Sequence, residues 1–328
     1  MQHEKDPHQT QATSPLPMCE RIGLSIIATD AADAVNRIVE AERAGLRQVW
    51  LSQGGSGGTD TLTIAAVAAA RTTQIRLGTA IVPTYPRHPL VIAQQALVIH
   101  DIAPGRLRLG IGPSHRPIIE GSYGLSQTAP LAYLREYVTV LRGLLGEGHI
   151  KYHGTFFNVT ATSRTAPIPL LVSALGSKAF HLAGEISDGA LSWVCPVSYL
   201  LKEALPSLQA GAQAMSRPAP SLVAHVVVAL STDETAVQAQ ARQFLLRYTK
   251  LPFYAHMFEE AELPVAADGG GLDALAKALV ISGDEATLRG RLAELLTHGL
   301  DELMVHPLPL TNEGKERGQL LQLLAAIA

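Results

Sequence analysis

Two stretches of this chain place reactive or ligand-holding residues directly after a run of strand-forming residues. In GIGPSH, the glycines Gly110 and Gly112 permit close backbone approach, and Ser114 and His115 follow them. An imidazole at His115 can pass a proton near neutral pH, or serve only as a hydrogen-bonding wall. In SALGSK, the residues Ala174, Leu175, Gly176, Ser177 and Lys178 lead into a helical pattern, and the amides that open a helix attract an anion such as a phosphate. The ordinary alternative is a strand-to-helix junction capped by Ser177. A third stretch, GGSGG at 54–58, satisfies the GxSxG pattern of a serine hydrolase elbow. Gly57, Gly58, Thr59 and Asp60 separate that serine from the next helix, so hydrolysis is a remote reading. His149 and His153 have the spacing of a metal pair but no carboxylate beside them, and there is no HExxH, so no metal site is expected.

Aromatic residues cluster near the same strand ends. Trp50, Tyr85, Tyr123 and Trp193 are candidates for an apolar substrate wall, although Trp50 equally suits core packing. Gln53 can hydrogen-bond a cofactor or substrate. The segment 247–271 carries Phe253, Tyr254 and His256 and reads as a lid over the site or as an oligomer contact.

These residues need a scaffold, and periodicity supplies one. Strands are predicted at Ile22–Ile27, Gln48–Ser52, Ile75–Ala80, Arg106–Ile111, Leu170–Ser173, Gly189–Leu191, Val223–Leu230 and Leu300–Val305, with helical patterns between them. Asp30, Asp60 and Asp284 are expected caps and Gly45 a terminator. His149–Val159 reads as a small extended insertion. Eight strands alternating with helices predict an α/β fold, a (β/α)8 TIM barrel with insertions after strands four and seven. The open doubly wound alternative lacks its GxGxxG and the acidic residue ~20 positions on. In such a barrel, ligands sit at the C-terminal ends of the strands, where the candidates above fall.

Composition excludes several classes. With 47% apolar and 17% charged residues in a chain of 328, a large core is affordable. A net charge of −3 without a basic stripe argues against nucleic acid as a partner. Cys19 and Cys195 form no disulfide framework or zinc motif, which suits a reducing cytoplasm. The opening MQHEKDPHQTQATSPLP has no apolar signal core, and no run suggests a membrane span. Residues 1–20 are expected to form a mobile tail ahead of one domain over 21–328. The expected partner is a small-molecule substrate, and a homodimer is a further expectation.

The stretch IRLGTAIVPTYPRHPLVIAQQALVIHDIAPGRLRLGIGPSH, residues 75–115, is similar to the bacterial luciferase-like superfamily, in which LGT, a PRHP-type loop, a helix, GR and LGxG occur in that order. PLLVSALGSKAFHLAGEISDGALSW, residues 169–193, resembles the same family's strand, phosphate turn and LAGxxADG phrase. GIGPSHRPIIEG with SALGSKAFHLAGE looks closest to the deazaflavin branch. The resemblance implies coenzyme F420, with FMN as the alternative. It implies cofactor contacts at Gln53, Thr79, Ala80, Ile81, Gly110, Gly112, Ser114 and His115, with the phosphate at Ala174–Lys178. It also implies a cis peptide at Ala80–Ile81 and a proton-transfer position at His115. One departure stands out. Gln53 and Gly54 replace the Asp and His of the family's sugar-phosphate dehydrogenases, which puts that substrate in doubt. The expected activity is hydride transfer between F420 and a small alkene, imine or carbonyl, and the alternative is an FMN-dependent monooxygenase.

Overall fold

In the computed structural model, residues 16–28, 30–53 and 57–327 are described. The eight expected strands are present as Ile22–Ala28, Gln48–Gln53, Arg76–Thr79, Leu107–Gly112, Leu170–Ser173, Gly189–Leu191, Ser221–Leu230 and Glu302–Pro307, here called strands one to eight. Each pairs in parallel with the next. Strand eight returns to strand one through Ile22↔Leu303 and Leu24↔Val305, so the sheet closes into a (β/α)8 barrel.

Local chemistry explains the surrounding helices. Asp30, Asp60 and Asp284 accept from the backbone N–H groups of Asp33, Thr63 and Thr287 and so start helices 31–44, 61–71 and 285–297. Gly45 ends the first of these with φ of 99°. Between strands four and five lie helices 116–121 and 130–142 and an antiparallel hairpin, His149–His153 with Asn158–Thr162. His149 and His153 lie on its first strand. Between strands seven and eight lie helices 234–249, 252–260 and 272–279, a short parallel strand Val280–Gly283 and helix 285–297. The segment read as a lid, 247–271, is helical over 247–249 and 252–260 and irregular from 261 to 271. At the other end, Met18–Arg21 form a short helix with Met18 packed on the core. The expected tail therefore stops short of residue 20, and its first fifteen residues lie outside the described ones. Among the described residues, no helix is long and apolar enough to cross a membrane.

Side-chain alternation divides the core in two. Outward-facing strand residues such as Leu24, Val49, Leu109, Val172, Ala224 and Val305 pack under the helices. Inward-facing Trp50, Leu171, Leu191, Val223 and Met304 fill the lumen as a separate cluster. Trp50 is fully buried, so its place is the barrel core and not a substrate wall. A Cβ at Gly78 would lie 2.2 Å from the Trp50 ring and one at Gly23 2.9 Å from it, so these glycines make room for the indole. Below it, Arg108 pairs with buried Glu302 at 2.6 Å, bonds Gln48 and covers the Trp50 ring at 4.8 Å. This plug seals the N-terminal end and leaves the C-terminal end for chemistry.

Candidate active site at the barrel mouth

The floor of the mouth comes from the ends of strands three and four. The Ala80–Ile81 peptide bond is cis, at the position the sequence resemblance implied, and both residues pack on the lumen cluster. Thr79 corrects an expectation. It is fully buried, and its hydroxyl donates to the Gly110 carbonyl at 2.8 Å and accepts from the Gly110 N–H at 2.9 Å. A Cβ at Gly110 would lie 1.9 Å from the Thr79 carbonyl oxygen, and one at Gly112 2.0 Å from Ser173 Oγ. These two glycines are therefore required by neighbouring protein atoms, whereas the sequence suggested space for a ligand.

Beyond strand four, Ser114 adopts φ of 60°, and half-buried His115 follows it at the start of helix 116–121. The His115 ring lies 5.7 Å from that of Tyr254, and burial lowers its pKa below the usual histidine value. Tyr254, on helix 252–260 between strands seven and eight, is 3% exposed, while its neighbour Phe253 is 64% exposed. The helix carrying both turns Tyr254 inward and Phe253 to solvent, so Phe253 does not line the mouth. His256 is exposed beside Glu259 and Glu260. Gln53 Nε2 donates to the Tyr123 hydroxyl at 3.4 Å, bringing two expected site residues together. Tyr85 stacks on Tyr133 with centroids 4.1 Å apart and donates to the Thr128 carbonyl.

The opposite rim is the start of helix 177–186. Its N-cap position is Gly176, not Ser177, and no side chain caps it. A Cβ at Gly176 would meet nothing within 4 Å, Ser177 is half-buried and Lys178 is exposed. The first amides of a ten-residue helix thus lack a side-chain acceptor, and they stand beside open space, the arrangement that suits an anion.

The wall between these rims contains residues that sequence reading did not single out. Trp193 follows strand six, and its indole N–H donates to Tyr248 Oη at 2.7 Å. Its ring lies 3.9 Å from that of His225 on strand seven, which is 5.1 Å from His306 on strand eight. Phe244 and Tyr248 complete the cluster under the Arg247 guanidinium. Burial drives the pKa of His225 well below its usual value and that of His306 down to about 4. Burial also raises those of Tyr248 and Tyr254. All four are neutral at pH 7. The available signal was a lone histidine inside apolar VAHVVVAL and another at the end of ELMVHP, each at an inward-facing position. His306 and Ser25 also line a cavity of about 290 Å³ bounded by Arg37, Glu313 and Arg317. The serine of the GxSxG pattern lies outside the described residues. Among the described residues, no group of three or more His, Cys, Asp or Glu is placed to hold a metal.

The family pattern of the luciferase-like monooxygenases matches residues 3–302. The chain belongs to that family. It is 27% identical over 288 residues to the F420-dependent glucose-6-phosphate dehydrogenase of Kineococcus radiotolerans, covering 82% of this chain and 85% of that protein. It is 25% identical over 286 residues to the 5,10-methylenetetrahydromethanopterin reductase of Methanolobus tindarius, covering 80% and 86%. In fold it is similar to an F420-dependent secondary alcohol dehydrogenase solved with an F420-acetone adduct, with a TM-score of 0.77, 17% identity and coverage of 94% and 98%. At that identity the likeness speaks for the fold alone, and it is the barrel described above.

Proposed function

We propose that the chain is a coenzyme F420-dependent oxidoreductase that passes a hydride between the deazaflavin and a small unsaturated organic substrate, an alkene, imine or carbonyl. The observation that carries this reading is the recurrence of F420-dependent oxidoreductases among the relatives that span most of the chain. The residues at the mouth suit that cofactor. Backbone amides at Gly176–Lys178 would hold the cofactor's phosphate, Ala80 and Ile81 would support its ring, and Ser114 and His115 would border the ring edge. When bound, the deazaflavin supplies or accepts the hydride.

The residues of this chain do the rest. Trp193 and Tyr254 exclude water from one side, and Tyr85 and Tyr123 extend the apolar wall. His115, in which burial favours the neutral ring, would take a proton from a substrate hydroxyl or return one. Glucose 6-phosphate is not carried over from the relatives. Gln53 stands where the resemblance implies an Asp in that branch.

The family's description as monooxygenases favours a second reading, FMN chemistry with oxygen in the same mouth. Anaerobic incubation of reduced F420 with a panel of small ketones, enones and imines separates the two. Substrate-dependent reoxidation of the deazaflavin supports the first reading; none there, with turnover in a parallel aerobic incubation with reduced FMN, overturns it. The reading goes with a cytoplasmic enzyme. A homodimer is supported by the exposed Val67, Val91, Val98 and Ile102 on adjacent helices 61–71 and 89–102.

A further inference from the structure

The wall of the mouth contains one buried donor that the protein itself does not use. The Val194 backbone N–H donates to His225 Nδ1 at 3.3 Å. That nitrogen therefore carries the lone pair, and in the neutral ring the proton sits on Nε2. His225 is 3% exposed, and its Nε2 has no hydrogen-bond partner among the described residues. Native structures rarely leave such a donor unpaired. The neighbouring rings do not absorb it. Trp193 lies 3.9 Å away with 33° between the planes, so the two rings meet largely face to face, while an N–H lies in the plane of its own ring.

The backbone fixes this arrangement. Val194 is fully buried at φ of 52°, a conformation that a β-branched residue rarely adopts. The turn it forms aims its N–H at Nδ1, and the His225 N–H in turn donates to Ser192 Oγ at 3.1 Å, binding strand seven to the same turn. Val194 directly follows Trp193, so one local conformation sets both the indole and the tautomer of the imidazole stacked on it. The charge acting on this pocket is Arg247, which is itself exposed and engaged with the Phe244 and Tyr248 rings.

We propose that His225 Nε2–H is a substrate-anchoring donor that takes an uncharged acceptor, a carbonyl oxygen, on a molecule whose apolar body packs against Trp193. The proposal rests on the reading of this mouth as the substrate site, and it specifies which substrates that site takes. It requires a small rearrangement of the ring stack when the substrate enters, because Nε2 is covered in the ligand-free arrangement.

The test is binding of cyclohexanone against methylenecyclohexane, which has nearly the same shape but no acceptor oxygen, to the full-length protein by ligand-observed NMR. One added hydrogen bond gives cyclohexanone an advantage of about 5-fold. His225→Gln keeps an N–H near the Nε2 position and retains the advantage. His225→Asn keeps an acceptor for the Val194 N–H but has no donor of that reach, and it loses the advantage. Equal binding of the two probes by the wild type, or an advantage undiminished in His225→Asn, overturns the proposal. So does tighter binding of cyclohexanecarboxylate than of cyclohexanone. If the variants do not fold, the His225 Nε2–H resonance of the wild type decides, shifting with cyclohexanone and staying put with methylenecyclohexane. No turnover is involved. Discrimination by a protein that does not bind F420 therefore leaves the anchor standing and removes the cofactor reading, and the converse result does the reverse.

Discussion

The Trp193 indole N–H and the Tyr248 hydroxyl meet at 2.7 Å, joining the end of strand six to the helix that follows strand seven. Tyr248 thereby joins the candidate site from a helix between strands seven and eight. Tyr248→Phe removes the acceptor and leaves a part-buried indole N–H unpaired, at a cost of up to about 1–3 kcal/mol. The expected outcome is a lowered Tm together with a changed emission from Trp193. The readout is direct because the chain has two tryptophans and Trp50 is sealed in the lumen. Unchanged emission and Tm would mean that the bond does not hold the indole.

Two glycines should respond oppositely to substitution. At Gly176 an added Cβ meets nothing within 4 Å, so Gly176→Val should leave the Tm nearly unchanged while weakening phosphate-bearing cofactors by about 10-fold or more through blocked backbone approach. At Gly112 an added Cβ would lie 2.0 Å from Ser173 Oγ, so Gly112→Ala should destabilise the barrel itself, by about 1–3 kcal/mol. Thermal unfolding paired with cofactor titration checks both. Equal affinity in a folded Gly176→Val protein would remove the phosphate from this turn.

His115→Ala should lower turnover by roughly 10²-fold with little effect on cofactor affinity, the scale usual for a proton-transfer group. The sign of the pH dependence follows from burial, which favours the neutral ring and moves protonation to lower pH. In the direction where His115 must donate, activity should decline as pH rises through this lowered pKa. In the reverse direction, where it accepts, activity should already be on its plateau at neutral pH. Profiles that are flat both ways, with an active alanine variant, would leave His115 as a wall residue.

The architecture was legible from sequence because its signals are local. Aspartate caps at Asp30, Asp60 and Asp284, the αL glycine at Gly45 and the apolar runs located all eight strands without long-range information. What escaped depends on contacts between distant segments. In sequence Trp50 suits a substrate wall or the core equally, and only the space that Gly23 and Gly78 leave for it in the lumen decides between them. Gly110 looked like an opening for a ligand until Thr79 was found against it. Phe253 and Tyr254 are adjacent and alike in sequence, and only the packing of their helix separates an exposed ring from a buried one. Nothing near His225 or Tyr248 in sequence indicates that Trp193 lies between them.

The central claim is the cofactor. It is tested most directly by equilibrium titration of the full-length protein with F420 and with FMN, read by fluorescence or calorimetry and repeated on Gly176→Val. The account predicts saturable F420 binding that clearly exceeds FMN binding and weakens in the variant. Tight FMN binding with no F420 binding would contradict it.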